Sequence, residues 1–148
     1  MKLSTFKKQL SRNRKMYPKE IRWHVVEGYT PKDAHLFIID GSTFAITKDE
    51  VLVSLCRNRD SQINGLTLVE IAIKCGAKRT YAFGEKLKNF YEKSGFYCIG
   101  YVPFDEKKAP KGWTKKENLY FFTLCKKPNI KFLCSDFECA YRIMMGVK

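Results

Sequence analysis

The sequence predicts an α+β fold, a mixed and mostly antiparallel sheet with helices on its faces. Three observations predict it. Three short apolar runs, separated by turn residues, lie between positions 35 and 56. Further on, amphipathic stretches of helical period alternate with strand-like runs. The 148 residues are 45% hydrophobic and 14% aromatic, enough to build one core and too few for two ordinary domains.

Taken in order, residues 4–16 predict a short basic helix, with Ser4 as N-cap and Phe6 and Leu10 on one face. Tyr17-Pro18 ends it, because the residue before a proline avoids the helical region. Residues 21–27 read as a strand in which Ile21, Trp23 and Val25 alternate, and Gly28-Tyr29-Thr30-Pro31 as a turn. Strands follow at 35–39, 43–46 and 51–56. Asp40-Gly41 and Lys48-Asp49 sit at their connections, the signature of an antiparallel meander. From Gly65, Leu66, Val69 and Ile73 recur at helical spacing, and Gly76 stops that helix. Residues 79–83 predict a strand. Residues 85–94 predict a second helix with Leu87, Phe90 and Tyr91 inward, closed by Gly95. A strand at 96–102, a lysine-rich loop at 105–117 and a last strand at 119–125 follow. Ser135-x-x-Glu138 matches a capping box and opens a terminal helix to about Met145. The domain reading is a basic helix or arm over 1–20, then one domain over 21–148.

No apolar run approaches the roughly 18 to 20 residues that a membrane span needs. The N-terminal stretch MKLSTFKKQLSRNRK carries no apolar segment after its charges, so a cytoplasmic protein is expected. The six cysteines then read as reduced thiols. Cys134-x4-Cys139 with Cys125 matches no standard zinc spacing and neither histidine is near, so no metal is expected.

Lys and Arg number 28 against 15 Asp and Glu, a net charge of +13. The charge is segregated. Residues 1–22 hold eight basic groups against Glu20, and residues 107–131 hold eight lysines against Glu117. Everything else is close to neutral. Such segregation points to a polyanion partner, DNA or RNA. The residues expected to meet it are Lys7, Lys8, Arg12, Arg14 and Lys15, with Lys107, Lys108, Lys111, Lys115 and Lys116. Trp113, among the second group, either stacks on a base or pins its loop to the sheet. Phosphate attraction of this kind carries no base information.

Two further stretches bear on chemistry. In Gln62-Ile63-Asn64-Gly65-Leu66-Thr67 a glycine opens a helix whose free N–H groups attract phosphate, with Arg57 and Arg59 just upstream. In Leu87–Phe96 a helix carrying Tyr91 runs into Gly95 and a strand-opening Phe96. In this order and spacing, residues 62–96 resemble the GNAT superfamily of acyl-coenzyme A-dependent N-acyltransferases. Gln62, Gly65 and Thr67 occupy the family's Q/R-x-x-G-x-G/A loop. Ala72–Ala77 is similar to its A-x-x-x-G-A helix end, and Tyr91–Phe96 to its Y-E-K-x-G-F. The run Val102-Pro103-Phe104-Asp105-Glu106, with Ala109-Pro110 and Gly112-Trp113, is similar to GNAT-like proteins of bacteriophages and mobile elements.

The resemblance implies acetyl-CoA or another acyl-CoA as cofactor, its pyrophosphate held by residues 62–67 (Gln62, Ile63, Asn64, Gly65, Leu66, Thr67). It implies an amine acceptor on an acidic or nucleic-acid-associated molecule. A backbone amide near Ser54–Arg57 would polarise the thioester and Tyr91 would protonate the leaving thiolate. Glu50 is the nearest carboxylate base, with His35 more remote. Thr67 stands where the family has Gly or Ala, and Gly84 where it often has Asn. Between Glu27 and His35 there is almost no room for the family's two acceptor-side helices, so the N-terminal part is shortened. These departures favour the alternative implied by the same resemblance, a non-catalytic phage-type protein that binds nucleic acid or a virion component through its basic segments.

Overall fold

The computed structural model describes residues 1–22, 30–107, 116–124 and 131–147. Within them the chain is α+β and divides into two compact units, Met1–Ala77 and Lys78–Lys148. The sequence reading puts a basic helix or arm over 1–20 and one domain over 21–148.

The first unit is a meander dressed by helices. Strands β1 (His35–Ile39), β2 (Ser42–Ile46) and β3 (Val51–Cys56) pair antiparallel in that order. Asp40-Gly41 makes the first hairpin, both residues at positive φ, as a tight two-residue turn between right-twisted strands requires. Helix α1 (Leu3–Arg14) lies on all three strands. Its Phe6, Leu10 and Asn13 are fully buried. Positions i, i+4 and i+7 share one helix face, so the basic N-terminal segment is an integral layer of this unit. Burying Phe6 and Leu10 contributes roughly 2–3 kcal/mol each.

Asn13 carries the polar side of that contact. Its amide donates to the carbonyls of Gly41 (2.8 Å) and Cys56 (3.1 Å), and its Oδ1 accepts from Gln9 Nε2 (2.9 Å) and Asn58 Nδ2 (3.1 Å). One side chain thus ties α1 to the β1–β2 turn and to the end of β3.

Two local expectations are corrected in this unit. The helix starts at Leu3 after Lys2, with no side-chain cap, so Ser4 lies inside its first turn; apolar burial, not a cap, sets this end. Residues 19–22 form a single helical turn, α2 (Lys19–Arg22), where a strand was expected from Ile21. Arg22 Nε and Nη2 donate to the carbonyls of Tyr17 (2.9 Å) and Lys15 (3.2 Å), while Arg14 donates to Arg22 O. Those bonds curl the chain back. The rest of that expected strand, with Trp23 and His24, and the start of the expected turn at Gly28 and Tyr29 lie outside the described residues.

Helix α3 (Gly65–Lys74) completes the unit. It ends as the sequence predicts: Gly76 N–H donates to Ile73 O and Ala77 N–H to Ala72 O, the paired bonds of a Schellman stop.

The second unit has strands β4 (Arg79–Phe83), β5 (Tyr97–Val102), β6 (Leu119–Thr123) and β7 (Phe132–Leu133), ordered β4-β6-β5-β7. The β4–β6 and β5–β6 pairs are antiparallel and β5–β7 is parallel. Strand β7 has two residues and no readable period, so the sequence reading missed it. Helix α4 (Glu85–Lys93) packs on β4 and β5, and α5 (Phe137–Gly146) on β5 and β6. On one face Tyr81, Phe121, Phe137 and Tyr141 form a ring cluster. Tyr91, Phe96 and Phe122 form another. The cap of α5 is Asp136, whose carboxylate accepts from Cys139 N–H at 2.8 Å. Ser135 stands one residue outside. A carboxylate suits the positive end of a helix better than a hydroxyl does.

Gly84, where the resemblance expects Asn, sits on a backbone that suits glycine. Its φ is +87°, and a Cβ there would collide with the Glu117 side chain; asparagine cannot occupy that backbone without moving both.

Asn13→Ala should leave the carbonyls of Gly41 and Cys56 without their donor. Urea unfolding should show a loss of about 2–4 kcal/mol for two bonds; an unchanged midpoint would show that α1 does not depend on this side chain.

Candidate functional site

The loop leading into α3 begins where β3 ends. Residues 58–64 cross from Cys56 to the helix, and side chains fill the space they enclose. Arg57 turns inward: its Nε donates to Ile63 O and its Nη2 to Ser61 O, both at 2.8 Å. Asp40 reaches in from the β1–β2 turn. Its Oδ2 accepts from Ser61 Oγ (2.8 Å) and from Gln62 N–H (2.9 Å). Ile63 N–H donates to Ser61 Oγ (3.0 Å) and Thr67 N–H to Asn64 Oδ1 (2.9 Å). The Ser61 hydroxyl first and the Gln62 amide second hold the exposed Asp40 carboxyl below its ordinary value.

A pyrophosphate at this loop would need free backbone amides. The amides of Gln62, Ile63 and Thr67 already have acceptors, and one of those acceptors is an anion. The first-turn amides at Gly65 and Leu66 remain, as at any helix start. The residues as placed do not fit a coenzyme diphosphate, because a second anion beside Asp40 would be repelled. Gln62, Asn64, Leu66 and Thr67 are exposed, while Ile63 and Gly65 are half-buried.

Around this loop the structure gathers Tyr17 and Arg59. Tyr17 Oη donates to Arg57 O at 2.7 Å, and burial raises its phenol above the usual value. The Arg59 guanidinium lies 4.8 Å from the Tyr17 ring centre and donates to Met16 O. Arg59 is thereby fixed, still exposed, beside the end of α1.

The basic residues of α1 are not equivalent. Lys8, Arg12 and Lys15 are exposed; Lys7 and Arg14 are half-buried. Arg14 spends its guanidinium on Arg22 O. Each exposed cation stands two positions after a buried residue, Phe6, Leu10 or Asn13. At about 100° per residue that is the opposite side of the helix. No acidic residue occurs within Leu3–Arg14. Of the second basic group, Lys107 and Lys116 are exposed, and Lys116 pairs with Glu106 at 3.1 Å. Lys108, Lys111, Lys115 and Trp113 lie outside the described residues.

Glu50 sits in the β2–β3 turn at positive φ. A six-residue strand separates it from Arg57, about 20 Å at 3.3 Å per residue, so the first unit does not bring Glu50 to the loop. His35 is exposed at the start of β1. Within β3, Ser54 has φ +57°, and Phe44 of β2 faces two residues of β3, a bulge. Ser54 Oγ meets Thr30 Oγ1 at 2.7 Å and Thr43 Oγ1 donates to Ser54 O.

In the second unit Tyr91 is buried, with Phe90, Phe96 and Phe122 around its ring. Burial pushes its phenol well above the usual value, against a hydrogen bond with the Thr80 side chain. Phe96 N–H donates to Tyr91 O and Gly95 N–H to Glu92 O. Tyr91-x-x-x-Gly95-Phe96 is therefore a Schellman stop with its apolar contact between the first and last members. Sequence reasoning missed a neighbouring polar pair: Tyr120 Oη donates to Glu85 Oε1 at 2.6 Å, and Lys88 Nζ lies 5.8 Å over the Tyr120 ring. Thirty-five positions separate the pair, and no local pattern announces it.

Among the described residues no three His, Cys, Asp or Glu side chains come together to hold a metal, and no helix is long and apolar enough to cross a membrane. Comparison of the chain with protein-family models, with curated proteins and with solved structures gave no match.

The Asp40 bonds carry a pH signature. A carboxyl held low in the folded state stabilises above its ordinary value of 3.8, and that contribution disappears as pH falls through its folded value. Melting curves taken down through the carboxylate range should show a smaller acid-side loss for Asp40→Asn than for wild type. Parallel curves would show that Asp40 does not tie the loop.

Proposed function

We propose that this chain binds nucleic acid through the exposed side of α1, on a GNAT-like scaffold that does not depend on catalysis. The observation that carries this reading is the row Lys8, Arg12 and Lys15 on a helix whose other side is locked into the core. A cation on a fixed helix loses little further freedom when it meets a phosphate. From Lys8 to Lys15 the axial rise is about 10 Å, roughly three phosphate steps along one duplex strand. Arg59, held over Tyr17, extends the charge past the helix end. Binding of this kind positions a backbone and reads no bases. Lys107 and Lys116 add charge on the other unit.

A second reading keeps the acyl-CoA-dependent N-acyltransferase implied by the resemblance. What favours it is the bulge at Ser54, which turns strand backbone out of its ladder near the place where the resemblance puts the polarising amide. It requires Asp40 to leave the Gln62 amide. Tyr91 would act from within its aromatic surroundings.

Fluorescence anisotropy of a labelled duplex, titrated at several salt concentrations, tests the first reading. Log affinity should fall with log salt, each phosphate contact adding about 0.9 to the slope. The triple variant Lys8→Ala, Arg12→Ala, Lys15→Ala should lose at least tenfold in affinity and flatten the slope by two to three contacts, about 2 to 3 in slope. A salt-independent affinity, or a triple variant that binds as wild type does, sinks it. For the second reading, acetyl-CoA should raise the melting temperature of Asp40→Ala more than that of wild type, and Gly65→Asp should abolish the shift. No shift in any variant at millimolar ligand removes acyl transfer.

A further inference from the structure

Cys134 and Cys139 stand apart from everything above. They lie at the junction of β7 and α5, five positions apart, with their sulfurs 3.3 Å from one another. That is inside ordinary sulfur contact and about 1.3 Å longer than a disulfide bond. Both backbones are held. Cys134 N–H donates to Tyr101 O (3.2 Å), which fixes it beside β5. Cys139 N–H is bound by the Asp136 cap (2.8 Å), which fixes it in the first turn of α5. The two differ in access: Cys134 is 8% exposed, whereas Cys139 is exposed.

We propose that Cys134 and Cys139 form a reversible dithiol–disulfide site that reacts with low-molecular-weight disulfides such as glutathione disulfide. The exposed Cys139 attacks first, as thiolate. Its sulfur bonds to one sulfur of the reagent, the reagent's S–S bond breaks, and one glutathione leaves and takes a proton. Cys134 then gives its proton to solvent and attacks the Cys139 sulfur. The mixed disulfide breaks and the second glutathione leaves. Two electrons pass from the protein thiols to the reagent, and the protein sulfurs end bonded to each other. Burial first and the neighbouring thiol second raise the Cys134 thiol, so the exposed Cys139 is the sulfur that meets the reagent. The other described cysteines lack this pairing. Cys56 is buried and pushed up to about 12, Cys98 is half-buried and bonded to Gly100 O, and Cys75 is exposed.

Peptide mapping of the full chain tests the proposal directly, because cleavage after Lys131 and Arg142 leaves both cysteines in one peptide, 132–142. After incubation with glutathione disulfide and alkylation, that peptide should be lighter by two hydrogens and carry no alkyl group. Dithiothreitol should restore two alkylation sites. Cys134→Ser should trap a glutathione adduct on Cys139, and Cys75→Ser should leave the closure unchanged. Two alkyl groups on peptide 132–142, a stable glutathione adduct in wild type, or a link from either cysteine to Cys125 would overturn the pairing. Cys134→Ser without an adduct would overturn the order of attack.

Discussion

The buried amide of Asn13 is the constraint on which the first unit rests. It is a polar group placed where an apolar one would be expected, and burying it without partners would cost on the order of 1–3 kcal/mol. Four partners prevent that cost, and they belong to different parts of the chain: the helix itself, the β1–β2 turn, the end of β3 and the loop beyond it. The helix therefore cannot shift without disturbing the turn that carries Asp40. Asp40 in turn fixes Ser61 and Gln62. The cationic surface of α1 and the filled loop before α3 are two ends of one hydrogen-bonded network.

That network alters the weight of the sequence motifs. Two of the segments that carry the expected resemblance, Ala72–Ala77 and Tyr91–Phe96, are both helix stops closed by a glycine and a paired set of backbone bonds. A helix that must turn sharply into a strand needs such a stop whatever the protein does. The aromatic at 91 adds packing: its ring meets that of Phe96 across the stop. The shape of these two segments follows from local backbone mechanics.

Strong short-range signals are legible in the sequence alone. Strands β1, β3 and β4 begin and end where the apolar runs and the turn residues placed them, and α3 and α4 stop at their glycines. Ends governed by a choice between neighbours were less legible: Asp136 caps α5 where Ser135 matched the box, and a single turn stands where Ile21 opened a strand. Strand β7 was invisible because two residues have no period. At the site, Asn64-Gly65 marked a helix start correctly. Whether its amides were open was not readable, since Asp40 arrives from more than twenty positions upstream as part of what looked like an ordinary hairpin turn. Asn13 was equally opaque, a polar residue in a run of cations that folding places at zero exposure.

The brevity of β7 has a bearing on how the molecule behaves in company. It stands at the end of the strand order of the second unit with two residues, one of them Leu133 at 64% exposure. A long open ladder would invite strands from other copies to add on. Two rungs offer a newcomer too few backbone bonds to register against, and the chain turns at once into α5. Among the described residues, that leaves Leu133 in solvent beside a ladder too short to template another strand.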